Sequence, residues 1–167
     1  MESLVRFFKR SSQSFFLFGP RGTGKSTWLK QHCPDAVIID LLAPEVFRAY
    51  SARPERLHEI TSPAQKKIII IDKVQKVPEL LDVVHQLIEG GAGYQFILTG
   101  SSARKLKRTG VDLLAGRALV KTMHPFMAAE LGESFSLVAS LQSGLVYHSS
   151  IALPIRRQPL RPMSLYI

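Results

Sequence analysis

Short apolar runs alternate with amphipathic stretches from the start of the chain to about Glu133. Ser14-Phe-Phe-Leu-Phe18 predicts a buried strand that ends in a glycine-rich segment, Gly19 to Gly24. Lys25 to His32 follows as a helix, and Ala36-Val-Ile-Ile39 as a second strand. Pro44 to Ile60 is polar and helix-like, with a break over Ser51 to Pro54. Lys67-Ile-Ile-Ile-Ile-Asp72 is the strongest strand, apolar on both faces. Such runs belong in the middle of a parallel sheet covered by helices. Leu80, Leu81, Val84, Leu87 and Ile88 form one helical stripe. Pro78 suits its first turn, and Gly90-Gly91 its end. Gln95-Phe-Ile-Leu-Thr99 reads as another strand, and Arg117 to Met123 as a weaker one. This rhythm predicts an α/β domain with a parallel sheet.

The pattern changes after Glu133. From Ser134 to Ile167 there is no Asp or Glu, and Pro154, Pro159 and Pro162 punctuate the end. Ser134 to Ser143 keeps Phe135, Val138 and Leu141 on one side of a potential helix, but from Val146 no period holds. The expected organisation is one domain over 1–133 and a helical remnant with an irregular tail over 134–167.

Composition narrows the partners. The chain of 167 residues carries 22 Lys plus Arg against 13 Asp plus Glu, a net charge of +9 that favours polyanions. One cysteine, Cys33, excludes an internal disulfide framework and a cysteine-cluster metal site. The longest aliphatic run, Ile68 to Ile71, is far short of the ~20 residues that span a bilayer. Arg6, Lys9 and Arg10 occupy the region where a signal peptide needs an apolar stretch. The expectation is a soluble, cytoplasmic protein with no membrane partner.

Gly19-Pro-Arg-Gly-Thr-Gly24-Lys25-Ser26 fits G-x-x-x-x-G-K-[ST], with a predicted strand before it and a helix after it. Glycines let backbone N–H groups turn inward around phosphate oxygens. The helix beginning at Lys25 aims its positive dipole end at the same anion. Lys25 supplies a point charge to the β and γ phosphates, and Ser26 a hydroxyl to Mg2+. Gly19, Pro20, Arg21, Gly22, Thr23, Gly24, Lys25, Ser26 and Thr27 are therefore candidate ATP-binding residues. Asp72 closes the strongest strand, where a carboxylate can hold Mg2+ opposite Ser26.

Four segments in order carry a family resemblance. Phe16-Leu-Phe-Gly-Pro-Arg-Gly-Thr-Gly-Lys-Ser-Thr27, Ile70-Ile-Asp-Lys-Val-Gln-Lys-Val-Pro78, Phe96-Ile-Leu-Thr-Gly-Ser-Ser102 and Leu114-Ala-Gly-Arg117 resemble prokaryotic AAA-type ATP-binding proteins. Members pair an N-terminal ATPase domain with a C-terminal domain of unknown function, and the resemblance covers about Val5 to Leu145. It implies a three-layer αβα P-loop NTPase fold with the Thr99 strand between the Phe18 and Asp72 strands. It also implies that Thr99 or Ser101 presents a polar group near the γ-phosphate. Arg117 is either a nucleotide-sensing arginine or one end of a surface salt bridge.

The departures bear on chemistry. The family pattern has Glu after the Asp72 position, the base that orients the attacking water; here the residue is Lys73. An ammonium cannot accept a proton from water, so Lys73 is not a general base, though its charge can sit on the γ-phosphate. Glu79, beyond Pro78 on the next helix, is a poor substitute. The resemblance leads to the expectation that the family's helical region and C-terminal domain are absent, with a tail of frame-altered character. The expectation is a truncated member that binds ATP and Mg2+ with impaired hydrolysis.

Two other readings stand beside it. Arg104-Lys105-Leu106-Lys107-Arg108 is a basic cluster that could meet nucleic-acid phosphates weakly, or simply be a solvated helix face. A third reading, behind these, is a degraded fragment without independent function, consistent with Lys73 and the tail. A small-molecule kinase is disfavoured, since no second arginine-rich lid is evident. Trp28 reads as core rather than a base-stacking platform, and the five histidines show no ligand spacing.

Overall fold

Every position of β1 (Phe15–Phe18) is buried, because alternate side chains enter two different cores. In the computed structural model, which describes residues 6–61, 67–101, 106 and 114–138, five strands form one sheet. These are β1, β2 (Val37–Asp40), β3 (Ile68–Asp72), β4 (Gln95–Thr99) and β5 (Leu119–Thr122). Their order is β2-β3-β4-β1-β5, and all four pairings are parallel. The Thr99 strand thus lies between the Phe18 and Asp72 strands, as the resemblance implied.

The period of two along each strand separates the layers. Phe16, Phe18, Ile69, Ile71, Phe96 and Leu98 face one cluster. Against them pack α3 (Leu80–Glu89), through Leu80, Leu81, Val83 and Val84, and Leu57 of the 3-10 segment Pro54–Ile60. α2 (Pro44–Ala52) adds partly buried Val46 and Phe47 to that side. Phe15, Leu17, Ile70 and Ile97 face the other way, onto Trp28 and Leu29 of α1 (Lys25–His32). The fold is therefore α/β with helices on both faces of a parallel sheet. Each fully buried Phe, Ile or Leu side chain contributes about 1.5–3 kcal/mol relative to an exposed one.

Some boundaries differ from the sequence pattern for local reasons. The polar stretch after β2 is not one helix: Arg53 takes an extended φ of −151° and the chain resumes as a 3-10 turn over Pro54–Ile60. Pro78 lies just before α3 rather than in its first turn, because Glu79 is the N-cap. β5 is an edge strand, with Leu119 and Val120 exposed, which is why its pattern is weak. A short helix, α4 (Ala128–Leu131), follows it. The basic residues Arg104, Lys105, Lys107 and Arg108, most of the expected Ser134 to Ser143 helix, and the tail from Val146 lie outside the described residues. Among the described residues no helix is long and apolar enough to cross a membrane.

The segment before β1 is tied to the sheet, which its composition did not foretell. Phe8 meets Trp28 edge-on, with ring centroids 4.8 Å apart. Gln95 Nε2 donates to the carbonyls of Ser11 at 2.6 Å and Gln13 at 2.8 Å, while Arg10 Nη2 donates to Gln95 Oε1 at 3.0 Å. These bonds fix where β1 enters, and so where the loop at its other end leaves.

Gly19 makes that exit. Its φ is +151°, and a Cβ placed on it would press into the Met123 carbonyl. Met123 cannot easily retreat, because its N–H donates to the Phe18 carbonyl at 2.8 Å. Gly19→Ala is expected to destabilise the domain by about 1–3 kcal/mol. An unchanged urea midpoint in that variant would show that the turn has room for a side chain.

Candidate functional site

A parallel sheet brings the C-terminal ends of all its strands to one edge, where loops can converge. Here β1 ends in the glycine loop, β3 in Asp72 and β4 in Thr99, and these strands are neighbours. Gly22 (φ +84°) and Gly24 (φ +83°) take left-handed backbone that other residues rarely adopt. They wrap the chain into a cradle before α1 starts at Lys25. Gly24 caps that helix with no side-chain hydrogen bond, leaving its N-terminus to the loop. Pro20, Arg21, Ser26 and Thr27 are exposed on the rim, and Thr23 is buried, its hydroxyl donating to the Pro20 carbonyl at 3.0 Å.

Lys25 is folded into the cradle and only 6% exposed. Its Nζ donates to the carbonyls of Gly19 and Pro20, both at 2.7 Å, and to Thr23 Oγ1 at 3.3 Å. Its pKa is pushed down to about 8, chiefly by burial and next by the Lys73 ammonium, with Asp72 acting in the opposite sense. An arriving polyphosphate restores the cost of losing that charge, so the bound form holds the proton more tightly than the free form. ATP affinity should therefore fall as pH rises through about 8, and binding near pH 8.5 should take up a proton. Calorimetry in two buffers of different ionisation heat reads that uptake; none at all would mean Lys25 does not meet the phosphates.

Asp72 is the hub of the site. Its Oδ2 accepts from Ser26 Oγ at 3.5 Å, and its Oδ1 accepts from both the Thr99 hydroxyl and Lys73 Nζ, the latter at 3.3 Å. Thr99 Oγ1 in turn accepts from the Lys73 N–H at 3.3 Å. Lys73 has φ +63°, an unfavourable value for a lysine, and the Thr99 bond helps to hold it there. One ammonium, Lys73, thus pairs with the carboxylate, and a second, Lys25, is near enough to feel both charges, leaving the site with surplus positive charge.

That arrangement bears on Mg2+. Ser26 and Asp72 are brought together as expected, and a pair of oxygens is the right chemistry for a hard cation. Yet one carboxylate oxygen is already held by Lys73 and Thr99, and an ammonium at contact distance repels a divalent ion. As arranged, these residues do not fit a magnesium ion.

The remaining expected residues divide. Ser101 follows Gly100 just beyond β4, at the loop edge, and is exposed. Arg117 is not brought to the loop. β5 pairs Leu119 with Phe15 and Thr122 with Phe18, so Arg117 lies at the other end of the strands from Gly19. Its Nε donates to Glu89 Oε1 at the end of α3. The surface ion pair, one of its two readings, is the one the structure contains. Gln75, which sequence reasoning passed over, lies against Gly100 at the end of β4. Its buried Oε1 has no hydrogen-bond partner among the described residues and would be 3.0 Å from a Cβ on Gly100. The signal was a polar residue at the second position of the 3-10 turn Val74–Lys76, whose neighbour Val74 is buried.

The AAA domain family matches residues 11–132, well over half of the chain. The chain belongs to this family. No curated protein matches it. Among solved structures, the Pif1 helicase from Candida albicans aligns at a TM-score of 0.42 and 15% identity, over 79% of this AAA domain chain and 40% of its own. Domain III of the replication initiation protein DnaA from Thermotoga maritima aligns at 0.39 and 18% identity, over 70% and 57%. A replication initiator DnaA bound to AMPPCP and single-stranded DNA aligns at 0.42 and 15% identity, over 81% and 50%. This AAA domain chain thus spans about half the length of those proteins or less in two of the three.

Proposed function

We propose that this AAA domain binds ATP through Gly19 to Thr27 and turns it over very slowly. The observation that carries the reading is a glycine cradle holding the buried Lys25 ammonium, with a second ammonium, Lys73, paired to Asp72 at the same edge of the sheet. Cradle N–H groups and the start of α1 take the phosphate oxygens, and Lys25 exchanges its carbonyl partners for the β and γ phosphates. Ser101, at the same edge, would offer its hydroxyl to the γ-phosphate, and Lys73 its charge. No group at position 73 can take a proton from water, so the bound triphosphate persists.

In this reading residues 1–133 are the ATP-binding domain and 134–167 an appendage, and the protein acts in the cytoplasm. The magnesium expected at Ser26 and Asp72 is not carried into it, because Lys73 holds the carboxylate. The nucleic-acid alternative has the net charge and the Arg104 to Arg108 cluster behind it, and Arg117 is not among its supports. Mg-ATP binding and turnover measured on one preparation test the proposal: binding with little turnover is expected, and rapid turnover would overturn it.

A further inference from the structure

Nucleotide sites built on a glycine cradle need a cation to offset a triphosphate's charge, and the usual supplier is a divalent metal held by oxygen ligands. Here Asp72, the carboxylate suited to hold one, already has a cation. Lys73 Nζ is 3.3 Å from Asp72 Oδ1, and both side chains are largely shielded, at 26% and 15% exposure. The contact is built rather than incidental. Lys73 is kept at φ +63° with its N–H on Thr99 Oγ1, and the Thr99 hydroxyl closes onto the same Asp72 oxygen. Ser26 Oγ completes the ring at Asp72 Oδ2, 3.5 Å away. An ammonium therefore stands beside the two oxygen donors that would otherwise hold a divalent ion.

From this ring we infer that the Lys73 ammonium is the resident cation of the site, so that the domain binds a nucleoside triphosphate without needing a divalent metal. The inference rests on the ATP-binding reading above and goes one step past it. Lys73 carries one charge on a tether, so it neutralises less than a divalent ion but is never lost to dilution or chelation. Lys25, across the loop, supplies a second fixed charge, and together they match the charge of one divalent cation.

The test is calorimetry of ATP into the full chain, once in EDTA and once in excess Mg2+, for the unmodified protein, Lys73→Glu and Lys73→Asn. Asn tolerates a positive φ, so Lys73→Asn removes the charge without adding backbone strain. The unmodified protein should show dissociation constants within about threefold of each other in the two conditions, whereas both variants should bind at least about tenfold more weakly in EDTA than in Mg2+. An unmodified protein that gains tenfold or more from Mg2+ would overturn the inference and leave the ATP-binding reading standing. Variants that bind in EDTA as tightly as the unmodified protein would overturn it too, since Lys73 would not be the cation. Binding in neither condition by the unmodified, folded protein would remove the ATP-binding reading itself.

Discussion

Lys25→Ala should reduce ATP affinity at least about a hundredfold, the loss of a buried charge meeting two phosphate groups through charge-assisted hydrogen bonds. The side chain is folded onto the carbonyls of Gly19 and Pro20, so its ammonium already lies inside the cradle before any ligand arrives. Arrival costs little rearrangement and exchanges carbonyl partners for stronger anionic ones. Folding should be affected in the opposite sense or little. Burial depresses the Lys25 pKa to about 8, so keeping the ammonium in place disfavours the folded state at neutral pH. Removing the ammonium relieves that term while leaving two carbonyls without their donor. Thermal melts distinguish the effects: the variant should unfold near the unmodified protein without ATP, and the shift produced by ATP should vanish. Equal ATP affinity in the two proteins would show that the cradle does not hold phosphate.

The frame of the molecule was legible because burial and period coincide. Ile68 to Ile71 and Gln95 to Thr99 sit mid-sheet and contact both layers, so continuous apolar runs located them correctly. β5 was the weakest strand to read since half-exposed Leu119 and Val120 on an edge obey no strict period. The glycine loop was legible because its spacing is the geometry of the cradle. What escaped is long-range. The grip of Thr99 on Asp72 spans two neighbouring strands and depends on register, which the residue types do not encode. The choice between the two readings of Arg117 was long-range too: its motif gave the residue, but only the pairing of β5 with β1 puts it at the far end from the loop. The hold of Gln95 on the segment before β1 likewise needs the folded sheet.

Position 73 draws these threads into the second large effect. Lys73→Glu should raise ATP turnover by about 10²–10⁴-fold, the range associated with one general base. A carboxylate there can accept the proton of an attacking water, and the backbone already directs the residue toward the mouth of the site through φ +63° and the Thr99 bond. The same change removes the ammonium from Asp72 Oδ1 and ends the repulsion it exerts on Lys25. It also sets a second carboxylate beside Asp72, whose repulsion favours a cation between them and destabilises the empty site. In excess Mg2+ the affinity for ATP should accordingly be similar or slightly weaker in the variant, so a gain in turnover cannot come from tighter binding. Fold and affinity are measured first, by melting and calorimetry, and phosphate release is then compared at saturating ATP. Lys73→Gln serves as the control: it loses the ammonium but gains no base, so it should bind ATP and remain slow. If the unmodified protein releases phosphate as fast as a folded, ATP-binding Lys73→Glu, then Lys73 does not disable this site. A fast Lys73→Gln would instead show that the ammonium obstructs the water and that the missing base matters little.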